Sequence, residues 1–521
     1  MLRSRDSGRT QAKQRTTGVK SIPAPVGGWN ERDSIANMKS HYAVVLENWF
    51  PQSSDIQIRQ GSAEHATGLG AQVETLMPYR PVTGSHKIFG IAGGKIYNAT
   101  AVGAVGAADV SGLTNSRWQH INFTTSGGNY LIAVNGVDNM ELYDGTTWTT
   151  ITGASSPAIT GLATTLIADV NVHKQRVWYV ETASLSAWYT AAGSFAGTVT
   201  EFPLGAVFSE GGSLVSMNTW TLDAGSGVDD LAVFITSNGE VAIYAGTDPA
   251  SANTWELIGV FKIGAPIGQR CLRKYGAELL AITVDGVLPL SNALFAGRVE
   301  ESSISEIIRG AVDRAVELYR SNFGWELTHY PEASMLVLNV PNSVGLQEQY
   351  VMNTVTNAWC KFKGWGANTF ELHNDDLYFG GDGVVYKAWT GQQDDGINIT
   401  ADVCSAFSYY GKRGENKKFN MVRPIISREG DPVEVRIAMN TDLNIESPTA
   451  IVTFPEVSTG DVWGTGDWTD AVWSGGHSQL TRWFDVQGLG LSAAPHLAVE
   501  TDRTSVRLSS FDIAWVSGGL L

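Results

Sequence analysis

The feature that most constrains this chain is a theme repeated seven times between residues 72 and 392. A short apolar strand is followed by a turn of Gly, Asn or Asp, then by a second strand ending on an aromatic. The units read HKIFGIAGGKIYNAT (86–100), NYLIAVNGVDNMELYDGTTWTTIT (129–152), QRVWYVETASLSAWYT (175–190) and DLAVFITSNGEVAIYAGT (230–247). ELLAITVDGVLPLSN (278–292), SMLVLNVPNSVGLQEQYVMNTVTNAWCKF (334–362) and NDDLYFGGDGVVYKAWTG (374–391) complete the train. Their starts lie roughly 40–55 residues apart, the length of a four-stranded propeller blade. SNGEVAIY and GGDGVVYK are hairpins, because Asn-Gly and Asp-Gly supply the positive φ that tight turns require. The expected fold is therefore all-β: a β-propeller of about seven blades, with Tyr97, Tyr143, Tyr189, Tyr244 and Tyr386 packed between neighbouring blades. Degenerate repeats also occur in sandwiches and β-helices, so another all-β array is the alternative.

One segment breaks the theme. ESSISEIIRGAVDRAVELYRSN (301–322) puts Ile304, Ile307, Ile308, Ala311, Val312, Ala315, Val316 and Tyr319 on one helical face. Ser303 and Glu306 have the spacing of a capping box. The helix falls between the fifth and sixth units, and its apolar face is expected to meet the chain's own core, with a partner subunit as the alternative. After Gly391 the texture changes to alternating strands, among them VEVRIAMN (433–440), RWFDVQGLG (482–490) and VRLSSFDIAWV (506–516). These predict a C-terminal β-sandwich over 393–521. Within it, GDVWGTGDWTDAVWSGG (460–476) spaces Trp463, Trp468 and Trp473 five residues apart, as a packed loop or a sugar-stacking site.

Charge divides the chain unevenly. The first 20 residues carry Arg3, Arg5, Arg9, Lys13, Arg15 and Lys20 against one Asp, a balance of +5; the total of −16 leaves −21 on the remainder. An acidic body repels phosphates, so it is not a nucleic-acid grip. The basic arm, residues 1–24, is expected to be flexible and to dock on a partner. It has no apolar stretch of a secretory signal, and no run approaches the ~18 apolar residues of a membrane span. Cys271, Cys360 and Cys404 are far apart and odd in number, the pattern of buried thiols rather than disulfides or a zinc site.

Between arm and propeller, residues 25–71 are dense in Trp, Asn and Arg: PVGGWNERDSIANM, then AVVLENWFPQSSDIQIRQG. Ser40 is placed to cap a short helix through Ala43, Val44 and Leu46 that Pro51 would stop. Ile56 and Ile58 alternate inward as a strand. Trp29, Trp49 and Phe50 would anchor the segment on the propeller, and Asn48 and Arg59, polar amid aromatics, would satisfy backbone groups. The stretch reads as a clasp without chemistry.

Those two motifs, together with the ending FDIAWVSGGLL, resemble the tail nozzle family of short-tailed bacteriophages, also described as tail tubular or DNA-stabilisation proteins. The likeness covers the chain ends and the overall layout. It implies a structural virion protein in the phage tail, assembled in the host cytoplasm. It also implies a ring, a homohexamer, below the portal and adaptor, bearing tail fibres or tailspikes, that extends the DNA-ejection channel and retains packaged DNA. No cofactor and no catalysis are implied, and DNA would pass without sequence-specific binding; the charge of −21 on the body then predicts an acidic lumen, with acidity that serves only solubility as the alternative. A receptor- or carbohydrate-binding tail propeller is the alternative, and a polysaccharide-degrading tail enzyme a third. The sequence does not support the last: DGTTWTT (144–150) is a single faint Asp box, no HExxH is present, and Asp375, Asp376 and Asp382 sit in ordinary turn sequence.

Overall fold

The computed structural model describes residues 17–223, 228–291, 303–342, 347–429, 433–449, 451–453, 477–501 and 503–520. Seven antiparallel sheets follow one another in chain order. The second runs Gln119–Thr125, Gly128–Val134, Met140–Tyr143 and Trp148–Ile151, and the third, fourth and sixth have the same four-stranded meander. The first strand of each blade touches the first strand of the next, and the seventh, Thr369–His373, returns to the first. The ring is therefore a closed seven-bladed propeller, with one blade for each repeat read from the sequence.

Closure uses a single long strand. Ser62–Tyr79 pairs through its first half with Asp382–Ala388, becoming the outer strand of the seventh blade. Its second half pairs with Lys87–Ala92 and is the inner strand of the first. The boundary expected at residue 72 thus falls inside a continuous strand. Residues 62–71 belong to the propeller, because an unclosed seventh blade would expose an unpaired edge.

Apolar clusters fill the gaps between blades. Tyr143 lies between the first and second blades with Met77, Phe89 and Trp118, and Tyr189 and Tyr244 share the gap between third and fourth with Trp178 and Phe234. Tyr97 packs partly buried at the seventh–first junction, whereas Tyr386 stacks 5.0 Å from Phe379, its cross-strand partner within the seventh blade. Cys271, Cys360 and Cys404 are all free and buried; burial pushes the Cys271 and Cys404 thiols up to about 12.

The fifth blade shows three strands, ending in Gly286–Pro289, and residues 303–305 lie along its outer edge. Ser303 Oγ donates to the Val287 carbonyl (3.0 Å), and Val287 N donates to Ser305 Oγ (3.1 Å). Both hydroxyls are consumed there, so the expected capping box does not form. The helix is shorter than the sequence suggested: a 3-10 turn, Glu306–Ile308, leads into Arg309–Tyr319. Its buried face, Ala311, Val312, Ala315 and Val316, joins the main core of the chain, as expected.

The C-terminal region is a two-sheet sandwich. One sheet holds Ile397–Ser405, Ala493–Thr501, Glu434–Thr441 and Ile451–Thr453; the other holds Glu415–Glu429, Ser505–Leu520, Phe484–Gly490 and His477–Leu480. Phe419, Val422, Ile437, Phe484, Leu497 and Ile513 fill the space between them. The Trp463, Trp468 and Trp473 loop lies outside the described residues.

Candidate functional site

Both sandwich sheets take strands from the N-terminal segment. Thr17–Pro23 pairs antiparallel with Ser505–Leu520, and Ile56–Ile58 pairs with the same long strand at Arg507 and Leu508. Tyr42–Glu47 pairs with Ile397–Ser405 in the other sheet. Residues 42–47 are thus a strand, not the helix expected from Ser40. The consecutive β-branched Val44 and Val45 suit a strand, and the free edge of Ile397–Ser405 gives it a ladder. Residues 17–23 likewise leave the arm and form an edge strand, with Ile22 fully buried. Lys20 lies on it, its ammonium 3.2 Å from Ser408 Oγ and 5.5 Å from the Tyr410 ring centroid. Arg3, Arg5, Arg9, Lys13 and Arg15 lie outside the described residues.

The four clasp residues converge where lead-in, sixth blade and sandwich meet. Trp29 is buried edge-on to Tyr350, with rings 5.3 Å apart, and Trp49 is fully buried. Gly28, at φ +87°, lies so close to the Trp359 backbone that a Cβ would come within 2.5 Å of its carbonyl oxygen. Asn48 turns the chain between the sheets in a left-handed conformation (φ 58°) that Asn tolerates. Its amide donates to the Thr400 carbonyl (2.8 Å), and its oxygen accepts from Lys363 N (2.8 Å) and Arg59 Nε (2.9 Å). Arg59 is wholly buried, donates to the Gln60 and Lys363 carbonyls, and pairs with Asp394. Asn48 and Arg59 therefore satisfy backbone groups, as their setting among aromatics suggests.

The second constellation lies on the propeller axis and was not singled out from sequence. Gln269 and Arg270 precede the inner strand of the fifth blade. Gln269 Nε2 donates to the carbonyls of Ala168 (3.2 Å) and Val215 (3.3 Å), on the third and fourth blades. Arg270 reaches the other four. One terminal nitrogen donates to Glu326 Oε2 (3.0 Å) and Thr369 Oγ1 (2.9 Å), on the sixth and seventh. The other donates to the Glu74 carbonyl (3.2 Å) and Thr75 Oγ1 (2.8 Å) on the first, and to the Trp118 carbonyl (3.1 Å) at the second. Two adjacent side chains thus tie all seven blades together and close the axis at one end. The Phe323 ring, 5.2 Å from the Arg270 guanidinium, covers it. The usable signal was a polar residue opening the first strand of each unit, as in ADVNV, RCLRKY, WELTHY and TFELH.

Above this lock is a cavity of about 160 Å³, walled by inner strands of all seven blades. Glu326 is paired with Arg270, and burial raises its carboxyl despite that pairing. Glu371 accepts from Arg80 (3.1 Å) and lies 3.8 Å from His120 Nε2, whose ring burial pushes down to about 4. Asp169 is pushed up to about 6 by burial, although Ser216 Oγ (2.6 Å) and Met217 N (3.2 Å) donate to it. Among the described residues no group of three or more His, Cys, Asp or Glu is arranged to hold a metal ion, and no helix is long and apolar enough to cross a membrane.

No family model matches the chain, and no curated protein matches it. Solved structures do match. The BBS1 N-terminal domain crystallised with ARL6 is 9% identical, with a TM-score of 0.38 over 64% of this chain and 98% of that one. The Swd1 (Cps50) β-propeller domain of Myceliophteria thermophila is 12% identical, with a TM-score of 0.37 over 61% and 100%. A putative 6-phosphogluconolactonase from Bacteroides fragilis is 10% identical, with a TM-score of 0.32 over 64% and 91%. At these scores nothing about activity is carried across.

Proposed function

We propose that this chain is a structural virion protein, a subunit of a short-tailed phage nozzle that assembles as a ring around the DNA-ejection channel. The observation that carries the reading is the pairing of the chain ends. The segments that resemble the nozzle family, around residues 25–61 and from 511 to 520, share one sheet: Ile56–Ile58 pairs with the last strand of the sandwich at Arg507 and Leu508, and Thr17–Pro23 pairs with it from Ser510 to Val516. A family signature concentrated in such a sheet is architectural, which suits a subunit that must hold its shape under load.

The axis supports the same reading by elimination. With Gln269 and Arg270 across it, the propeller's own centre is no conduit, so a DNA channel would run between subunits. The acidic body, −21 outside the first 20 residues, suits a lumen that repels the duplex instead of binding it. The basic arm would then face the adaptor or portal. The test is the mass of the purified assembly by native mass spectrometry, with its surface charge mapped by electron microscopy. Six copies around an acidic lumen are expected. A trimer would favour the receptor-binding tail propeller, and a lumen lined by Lys and Arg would sink the nozzle reading.

A further inference from the structure

The charged groups of the axial cavity are almost all spoken for. Glu326 is held by Arg270 and Thr369, Glu371 by Arg80 and the Leu372 amide, and Asp169 by Ser216 and Met217. The exception is Arg273, on the inner strand of the fifth blade. It lines the cavity half-buried, and its side chain makes no hydrogen bond or ion pair among the described residues, its charge acting on Glu326 and His120 from a distance. A guanidinium in that position is a donor without an acceptor.

Its neighbours on the wall are donors as well. Asn171 and Asn218 occupy matching places on the inner strands of the third and fourth blades. The amide oxygen of each accepts from the next backbone N–H, Val172 at 2.8 Å and Thr219 at 2.9 Å. Neither NH₂ group has a hydrogen-bond partner among the described residues. Three consecutive blades therefore line the cavity with two amide NH₂ groups and a planar guanidinium, a donor set that suits a carboxylate. Three carboxyl groups also stand on the wall, Asp169 beside Asn171 on the third blade, and Glu326 and Glu371 on the sixth and seventh. They penalise a second negative charge but can accept from hydroxyls.

We propose that this cavity binds a small hydroxylated monocarboxylate, a hydroxy acid or sugar acid, with its carboxylate on Arg273 and the Asn171 and Asn218 amides. The cavity is below the usual ~300–1,000 Å³ of ligand pockets, so it takes one small acid or one acidic sugar ring, not a nucleotide. The inference does not depend on the nozzle reading, since the site is complete within one chain.

The test is ligand-observed NMR and calorimetry on the full chain with D-glucuronate, D-glucose and inorganic phosphate. Glucuronate is expected to bind at least tenfold more tightly than either of the others. Arg273→Met should abolish that preference while the variant still melts cooperatively, because Arg273 makes no side-chain hydrogen bond among the described residues and bears on Glu326 only through its charge. Asn218→Asp, which swaps a donor for a charged acceptor, should do the same. Equal binding of glucuronate and glucose, or a preference unchanged in Arg273→Met, overturns the proposal. A glucuronate-terminated oligosaccharide separates the sources: tighter binding than the free acid supports a polysaccharide residue, and equal or weaker binding supports a free acid.

Discussion

Arg59 and Asp394 meet through two parallel hydrogen bonds, Nη1 to Oδ1 at 2.8 Å and Nη2 to Oδ2 at 2.5 Å, with the arginine side chain fully buried. The pair joins the lead-in to the link between propeller and sandwich. Gly364, at φ +103°, makes room for it: a Cβ there would stand 2.6 Å from Asp394 Oδ2 and 2.9 Å from Arg59 Nη2.

Removing one partner leaves a buried charge and strips donors from the Lys363 and Gln60 carbonyls. Arg59→Ala should therefore cost about 3–5 kcal/mol in urea unfolding. Arg59→Lys should recover little of it, since an ammonium cannot reproduce the fork. A loss below about 1 kcal/mol would show that the clasp is not held by this pair.

The N-terminal strand makes a truncation pair informative. Removing residues 1–16 takes away none of the contacts described for the body. Removing 1–24 deletes a strand registered from Thr17–Val516 to Pro23–Ser510, together with the buried Ile22. The longer deletion should lower the Tm by several degrees and the shorter should leave it unchanged, by differential scanning calorimetry. Equal melting of the two would mean that the strand adds nothing to the sandwich.

Seven blades were legible because each repeat carries its own hairpin chemistry, and a turn at SNGE or GGDG is decided by a few adjacent residues. The clasp was legible in part: Asn48 and Arg59 stood out as polar among aromatics. What the sequence did not disclose depends on distant partners. Residues 42–47 became a strand because Ile397–Ser405 offers a ladder some 350 residues away. Ser303 left its capping role for the Val287 carbonyl. Gln269 and Arg270 look like any polar pair before an apolar strand; only ring closure brings the ends of the other inner strands within their reach.

Glu141 gives the stability a predictable pH dependence. It is buried in the second blade, with one oxygen accepting from Thr150 Oγ1 (2.8 Å) and the other without a partner among the described residues. Burial raises its carboxyl from 4.5 to about 7. The folded state thus keeps the proton to higher pH than the unfolded chain does. Glu141 imposes no penalty below pH ~4.5, an increasing one up to ~7, and a constant one of about 3 kcal/mol above that. Glu141→Gln should be more stable than the parent at pH 8 and indistinguishable from it at pH 4, by urea melts at both. A variant less stable at pH 8 would show that the carboxylate is satisfied in its ionised form.

The axial lock yields the sharpest case, because Arg270 serves four blades and Glu326 depends on it. In Arg270→Met, the buried Glu326 carboxylate loses its cation, and the Glu74 and Trp118 carbonyls lose a donor. The expected cost is about 3–5 kcal/mol at pH 8. Without that cation, burial and the neighbouring Glu371 charge act on Glu326 against Arg273 alone, and hold its folded-state value above that of the unfolded chain. The deficit should then shrink as the pH falls below that raised value and the proton is taken up. Adding Glu326→Gln should return part of the loss at pH 8 and none at pH 4, a coupling of about 1–3 kcal/mol in a double-mutant cycle. If Arg270→Met does not fold, Arg270→Lys keeps the charge without the fork and should show the same pH trend at smaller amplitude. Hydrogen exchange locates the effect: amides at the N-terminal ends of the inner strands, near Thr75, Gln119, Glu326 and Thr369, should lose protection before the outer strands do. Uniform loss across all blades, or a cycle with no coupling, would mean that the inter-blade apolar clusters hold the ring and the arginine merely fills its centre.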